Sequence, residues 1–268
     1  MQKKLYFALL SIHRSFLTIK QLTKHVKMKQ FRNVLLLAAT IVLSLSAGAQ
    51  TADEIVNKYI TAIGGAENWK KVNSVTSEGS LTVQGADVAV SMTVLNGKGM
   101  RQNISVMGMT GYSIMTPTGG WNFMPFQGQQ KPEPATEETV KESADQYDTQ
   151  GALVDYKSKG HSIEYLGKED VEGTEAHKVK VTHKSGKVET MYFDPTSFLA
   201  IRTVSKQKAN GQESEITTSL SNYKKLPEGI LVPMSVSVPV GPGMSAELTI
   251  TKVEINKPVD EAIFKPSN

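Results

Sequence analysis

The chain contains no cysteine. Disulfides and metal–thiolate sites are therefore excluded, and so is a lipid anchor carried on an N-terminal cysteine. Acidic residues are missing from the first 49 positions, which hold eight basic ones: Lys3, Lys4, Arg14, Lys20, Lys24, Lys27, Lys29 and Arg32. No Gly-x-Ser-x-Gly, His-Glu-x-x-His or phosphate-loop pattern occurs, so the usual sequence signals of a hydrolase nucleophile, a helical zinc site and a nucleotide cradle are all lacking. No repeat of 20–50 residues is present. The longest early apolar run, Val34 to Leu45, is too short to span a bilayer.

That run has another reading. Met28-Lys-Gln-Phe-Arg32 supplies a basic lead, Val34 to Leu45 an apolar stretch, and Ala47-Gly-Ala49 a small-residue cleavage site, the three parts of a secretory signal. We expect residues 1–49 to be a signal peptide that begins at Met28, with 1–27 either a misassigned start or a long basic lead. Residues 50–268 are expected to form one β domain. Removal of 1–49 leaves 22 basic against 26 acidic residues, turning a net charge of +4 into −4. The basic pI then belongs to the precursor, and nothing argues for nucleic acid, which requires a clustered positive face.

Thr51-x-x-Glu54 forms a capping box, and Ile55, Val56, Tyr59, Ile60 and Ile63 follow at helical spacing before Gly64-Gly65. This predicts one amphipathic helix, with a further turn at Ala66–Lys71 that faces Trp69 inward. From Ser74 the period becomes two. Val88, Val90, Met92 and Val94 share a parity against Asp87, Ser91 and Thr93, and Val179 and Val181 alternate with Lys178, Lys180 and Thr182. Similar runs recur to about residue 254, joined by Ser185-Gly186, Asp194-Pro195, Asn210-Gly211 and Gly241-Pro-Gly243. The expected fold is mainly β: about a dozen strands in one large, curved antiparallel sheet or unclosed β-barrel with a few covering helices. A Pro-, Gln- and Glu-rich interruption begins at Gln127, turns helical around Ala135–Ala144, and ends with the apolar stretch Gly151–Tyr156. Residues 127–156 read as a flap over the sheet.

Candidates for chemistry are few. After residue 49 the histidines are His161, His177 and His183. His177 and His183 would lie roughly 20 Å apart on one strand, and His161-x-x-Glu164 would split across two faces, so no metal site is expected and all three read as surface residues. The carboxylates of Glu133–Glu142 and Lys168–Glu175 read as solvated. No catalytic residue, metal or cofactor is expected. The apolar pattern is richer: Met92, Met100, Met107, Met109, Met115 and Met124 fall near Trp121, Phe123 and Phe126, and flexible thioethers suit surfaces that accept irregular apolar shapes. On a curved sheet with too few helical residues to cover it, an apolar ligand cavity is expected. Its candidate lining is Val90, Met92, Ile104, Val106, Ile114, Trp121 and Phe123.

The order of several short segments then resembles a known family. These are Ala52-Asp-Glu-Ile-Val-Asn-Lys-Tyr-Ile60 with Gly64-Gly65, Arg101-Gln-Asn-Ile-Ser, Gly119-Gly-Trp121-Asn-Phe-Met-Pro125, Leu153-Val-Asp-Tyr-Lys157, Tyr192-Phe-Asp-Pro195, Asn222-Tyr-Lys224 and Ile263-Phe-Lys-Pro266. Together they resemble the LolA/LolB-like superfamily, in particular outer membrane lipoprotein-sorting proteins. The resemblance implies an unclosed β-barrel under a helical lid, a soluble periplasmic location and a cavity for lipid or lipoprotein acyl chains. It also implies envelope membrane proteins as partners and a lid-holding role for Arg101, although the aromatic neighbours usual there are lacking. A second expectation is a non-catalytic scaffold of the outer envelope that grips a protein partner. An enzyme is the least supported of the three.

Overall fold

The computed structural model describes residues 52–209, 212–241 and 243–267. The expected signal segment and the turn at Asn210-Gly211 lie outside them, as does Thr51 of the capping box. The described residues open with helix α1 (residues 52–62) and the short α2 (Ala66–Trp69). Thirteen strands follow: β1 (Ser74–Val83), β2 (Ala86–Leu95), β3 (Gly99–Val106), β4 (Met109–Thr116), β5 (Gly119–Phe123), β6 (Glu133–Pro134), β7 (Ser162–Val171), β8 (Thr174–Thr182), β9 (Val188–Phe193), β10 (Ala200–Ala209), β11 (Gln212–Lys225), β12 (Leu231–Gly241) and β13 (Met244–Ile255). A third helix, α3 (Glu137–Glu142), lies between β6 and β7, capped by the Thr136 side chain, which accepts from the Thr139 N–H.

All strands belong to one sheet, ordered β6-β5-β4-β3-β2-β1-β13-β12-β11-β10-β9-β8-β7. Every pairing is antiparallel. Each neighbour follows in sequence except at β1–β13, where the last strand returns to the first and joins two hairpin-built arms. One arm runs from β1 to β6 and the other from β7 to β13. The outermost strands β6 and β7 do not pair, so the sheet is not closed into a barrel.

The contacts of one short turn show how far the sheet curls. Tyr147 packs against Val94 of β2, Met100 of β3 and Met115 of β4. Asp145, in the same 3-10 turn (Ala144–Tyr147), forms an ion pair with His183 at the end of β8. In a flat sheet β2 and β8 would be seven spacings apart, about 34 Å. Two residues of chain reach at most about 7 Å between Cα atoms, so the arms must fold toward one another. The face carrying α1 is the inside of that curl.

On the inner face α1 buries Ile55 and Val56 against Val179, Val181, Met191 and Phe193. Burial of each such side chain contributes about 1.5–3 kcal/mol, which is what fixes the helix there. Its end is set by Gly64, with φ of +111°, where an added Cβ would lie 2.5 Å from the Gly229 carbonyl oxygen. That close approach lets Leu231 N–H donate to Ile63 O. Trp69 faces inward as expected, its Nε1–H donating to the same carbonyl, and packs beside Val72, Ile230 and Ile255.

Candidate ligand-binding surface

Directly paired residues in an antiparallel ladder share a face, so the register maps the inner surface strand by strand. Val106, Val88, Leu81 and Leu248 form one row of inward side chains, and Ile104, Val90, Gly79 and Ile250 form the next. Val236 pairs with Leu248 and Val238 with Ala246, which carries the surface onto β12. The result is an aliphatic band across β3, β2, β1, β13 and β12. Val90, Ile104, Val106, Val236, Val238, Leu248 and Ile250 are half-buried. The hydrophobic clusters built by α1, α2 and residues 135–156 include none of them.

The expected lining residues divide between the two faces. Val90, Met92, Ile104 and Val106 face inward, with Met92 at the edge of the Val94–Met100–Met115 cluster. Ile114, Trp121 and Phe123 face outward. Ile114 pairs with Arg101, and Trp121 with Ile114, and these aromatics pack with Phe264, Val259 and Ile263 of the C-terminal segment. For Ile114 the physical reason is the two-residue turn at Met107-Gly108, which sets Val106 opposite Met109 and so exchanges odd and even positions between β3 and β4. The turn at Pro117-Thr118, which sets Thr116 opposite Gly119, exchanges them back, so Trp121 and Phe123 face outward as the odd positions Arg101 and Asn103 do.

Arg101 lies on that outer face too. Its Nη1–H donates to Ile263 O at 2.9 Å, its Nε–H donates to Asn103 Oδ1 at 2.8 Å, and its guanidinium stacks 4.5 Å from the Tyr112 ring. The Tyr112 hydroxyl donates to Ser267 O. Among the contacts of the described residues, Arg101 holds the C-terminal segment and not the flap over the inner face.

The flap is held by other groups. Thr149 donates its hydroxyl to Val72 O at 2.6 Å, Lys70 pairs with Asp155 at 3.1 Å, and Asp53 of α1 accepts from the Tyr156 hydroxyl and pairs with Lys157. Leu153 and Tyr156 sit in the α1 cluster. The 144–157 segment and the two N-terminal helices are thus tied into one cover over the β7–β11 arm.

Where this cover meets β8 and β9 lies a cavity of about 180 Å³ lined by Asp145, Gln146, Asp148, Ala152, His161, His183, Lys187 and Glu189. His183 is only 5% exposed, which corrects its reading as a surface residue. Its Nε2 is 3.1 Å from Glu189 Oε1, and its Nδ1 is 3.1 Å from Asp145 Oδ2 but lacks a well-aligned hydrogen bond. The Asp145 carboxylate 3.1 Å away, and then the hydrogen bond to Glu189, outweigh burial and raise its pKa to about 9. The same contact lowers that of Asp145. The His161 ring packs 4.8 Å from His183 and accepts from the Lys184 N–H through Nδ1; burial, then the His183 charge, lowers its pKa. His177 stacks on Phe198 and meets the Tyr165 hydroxyl. Nothing in the spacing of His183 could reveal its partners, because Asp145 comes from a distant turn. No group of three or more His, Asp or Glu among the described residues is placed to hold a metal ion.

No family model and no curated protein sequence matches the chain. Solved structures do. A domain from Vibrio parahaemolyticus, assigned to outer membrane lipoprotein sorting, aligns with a TM-score of 0.50 at 12% identity, over 81% of this chain and 97% of its own. A DUF1329 family protein from Desulfovibrio piger aligns with a TM-score of 0.51 at 12% identity, again over 81% and 97%. A LolA superfamily protein from Nitrosomonas europaea gives 0.48 at 10% identity, over 77% and 97%. The first two matches show a shared fold, and the mainly β, unclosed architecture is the one expected from the sequence.

Proposed function

We propose that this protein is a non-catalytic carrier that holds lipid or lipoprotein acyl chains against the inner face of its curled sheet. The observation that carries this reading is the aliphatic band of Val90, Ile104, Val106, Val236, Val238, Leu248 and Ile250. It faces the inside of the curl and stands apart from the packed clusters beneath the cover. Burial of an acyl chain of ~16 carbons offers roughly 12 kcal/mol at ~0.8 kcal/mol per CH₂ when complete. An unclosed sheet captures part of that, which suits reversible loading and release. The shared fold with a domain assigned to lipoprotein sorting supports the same reading. A secretory signal at 1–49 would place the carrier in the periplasm, delivering to the outer membrane, with envelope membrane proteins as donors and acceptors. Among the described residues no helix is long and apolar enough to cross a membrane.

The test is direct. Purified protein is extracted with organic solvent for lipid mass spectrometry, then delipidated and titrated with a fluorescent fatty acid. Co-purified lipid and saturable uptake are the expected results. Folded protein that neither carries lipid nor takes up the probe would overturn the reading and favour a scaffold whose partner is a protein.

A further inference from the structure

The cover and the sheet meet at a buried histidine between two carboxylates from different elements. Asp145 belongs to the turn whose Tyr147 packs on the β2–β4 arm, whereas Glu189 belongs to β9 of the other arm. His183 therefore sits where the 144–157 cover bridges the two sides of the curled sheet. We infer that His183 is a pH-sensitive latch: its imidazolium, held between Asp145 and Glu189, ties the cover down, and its loss of charge frees the 144–149 segment and opens the inner face. This rests on the carrier reading only for what is released, because the movement of the segment is measurable without any ligand.

Several features of the site suit a latch. The ring is almost wholly buried, yet it borders a cavity of about 180 Å³, large enough to admit water as the charge changes. His161, Lys187 and Asp148 also face this cavity, and Lys159 neutralises Asp148 at 2.5 Å. His183 is the cation held between both the Asp145 and Glu189 carboxylates, while the Lys187 charge acts on Asp145 as well. With the imidazolium neutral, the two carboxylates lose the counter-ion they share in a half-buried site, where like charges repel. The remaining cover contacts are Leu153 in the α1 cluster, Lys70 with Asp155, and Asp53 with Tyr156 and Lys157. The pKa values of Lys70, Tyr156 and Lys157 are raised by these partners, by burial in the case of Tyr156 first, so these groups hold their protons. The contacts keep residues 150–157 seated while 144–149 swings.

The sign follows from linkage. A histidine whose pKa is raised from 6.5 to about 9 contributes fully below pH 6.5, and its contribution is lost as pH climbs through 9. Asp145 acts in the opposite direction, its contribution being lost only as pH falls below its ordinary range near 3.8. The latch is therefore shut around neutrality and opens on the alkaline side first.

Hydrogen exchange of the 144–149 amides, corrected for intrinsic rates, tests this in the ligand-free protein between pH 7 and 10. Wild type is expected to lose protection by about tenfold or more across that interval. Asp145→Asn and His183→Gln, neutral replacements of similar shape, are expected to show the faster exchange already at pH 7 and no step above it. Uptake of N-phenyl-1-naphthylamine, uncharged throughout this range, is followed in parallel. Equal protection in wild type and both folded variants at pH 7 would overturn the latch. So would a pH step that persists in both variants. Opening without uptake of the probe would sustain the latch and count against the carrier reading alone.

Discussion

The two arms of the sheet solve the problem of a large open surface in different ways. Residues 102–130, which supply β4, β5 and most of β3, contain no charged side chain, whereas residues 164–189, spanning β7 and β8, contain eleven. On β7–β10 the charges form pairs, Lys168–Glu175 at the rim of the inner face and Lys180–Glu164, Lys178–Glu169 and Arg202–Glu172 on the outer one. The last three keep the outer face wet while α1 seals the other with Phe193, Val179 and Val181. The charge-free stretch has its outer face covered by the C-terminal segment through Tyr112, Ile114 and Phe264. The inner face of the middle strands β3, β2, β1, β13 and β12 is left with half-buried valines and isoleucines. The β7–β10 end of the sheet is an anchored core with a solvated exterior, and the middle is an aliphatic surface outside the packed clusters. Stability and binding should therefore separate along the sheet.

The largest effect expected from this contrast is Phe193→Ala. It removes a fully buried ring that also meets Tyr59 at 5.1 Å and should cost about 3–5 kcal/mol in chemical denaturation. Ile104→Ala on the other arm should cost less than about 1.5 kcal/mol while weakening apolar-probe uptake. Comparable losses of stability at both positions would erase the distinction. Arg101→Ala comes next. Loss of its bond to Ile263 O and its contact with Tyr112 should cost about 1–2 kcal/mol and loosen residues 259–267. The same variant should leave exchange at 144–149 unchanged, and faster exchange there would restore a lid-holding role to this arginine. The smallest effect belongs to the charge ladder. Lys168→Ala breaks an exposed pair with Glu175 and should change stability by less than about 1 kcal/mol, fading further in high salt.

Much of the fold was legible because strand parity is a local property. The alternation in Val88–Val94 and in Lys178–Thr182 marked strands that the structure contains, and α1 could be read from Ile55, Val56, Tyr59, Ile60 and Ile63. Face assignment is less local, because it depends on each turn. The three-residue turn after Leu95 sets it opposite Gly99 and preserves parity, whereas Met107-Gly108 inverts it. Ile114 thus moved to the outer face although Ile104 and Val90 share the inner one, and the second inversion at Pro117-Thr118 leaves the odd-numbered Trp121 on the outer face with Arg101. The His183 site was legible only in part. Glu189 lies across the local β8–β9 hairpin from it, whereas Asp145 is brought in by the curl of the sheet, and no spacing in the chain records that proximity. Arg101 was singled out by the resemblance alone, and its partner carbonyl at Ile263 depends on where the C-terminal segment docks.

The most direct test of the account compares one added carboxylate on each face of the same strand. Ile104→Asp puts a charge on the inner face of β3, and Ser105→Asp puts one on the outer face, beside Thr110. Fatty-acid titration of the two folded variants against wild type should show uptake abolished in Ile104→Asp and retained in Ser105→Asp. Uptake unchanged in Ile104→Asp, or lost equally in both, would mean that the inner aliphatic band is not where the acyl chain lies.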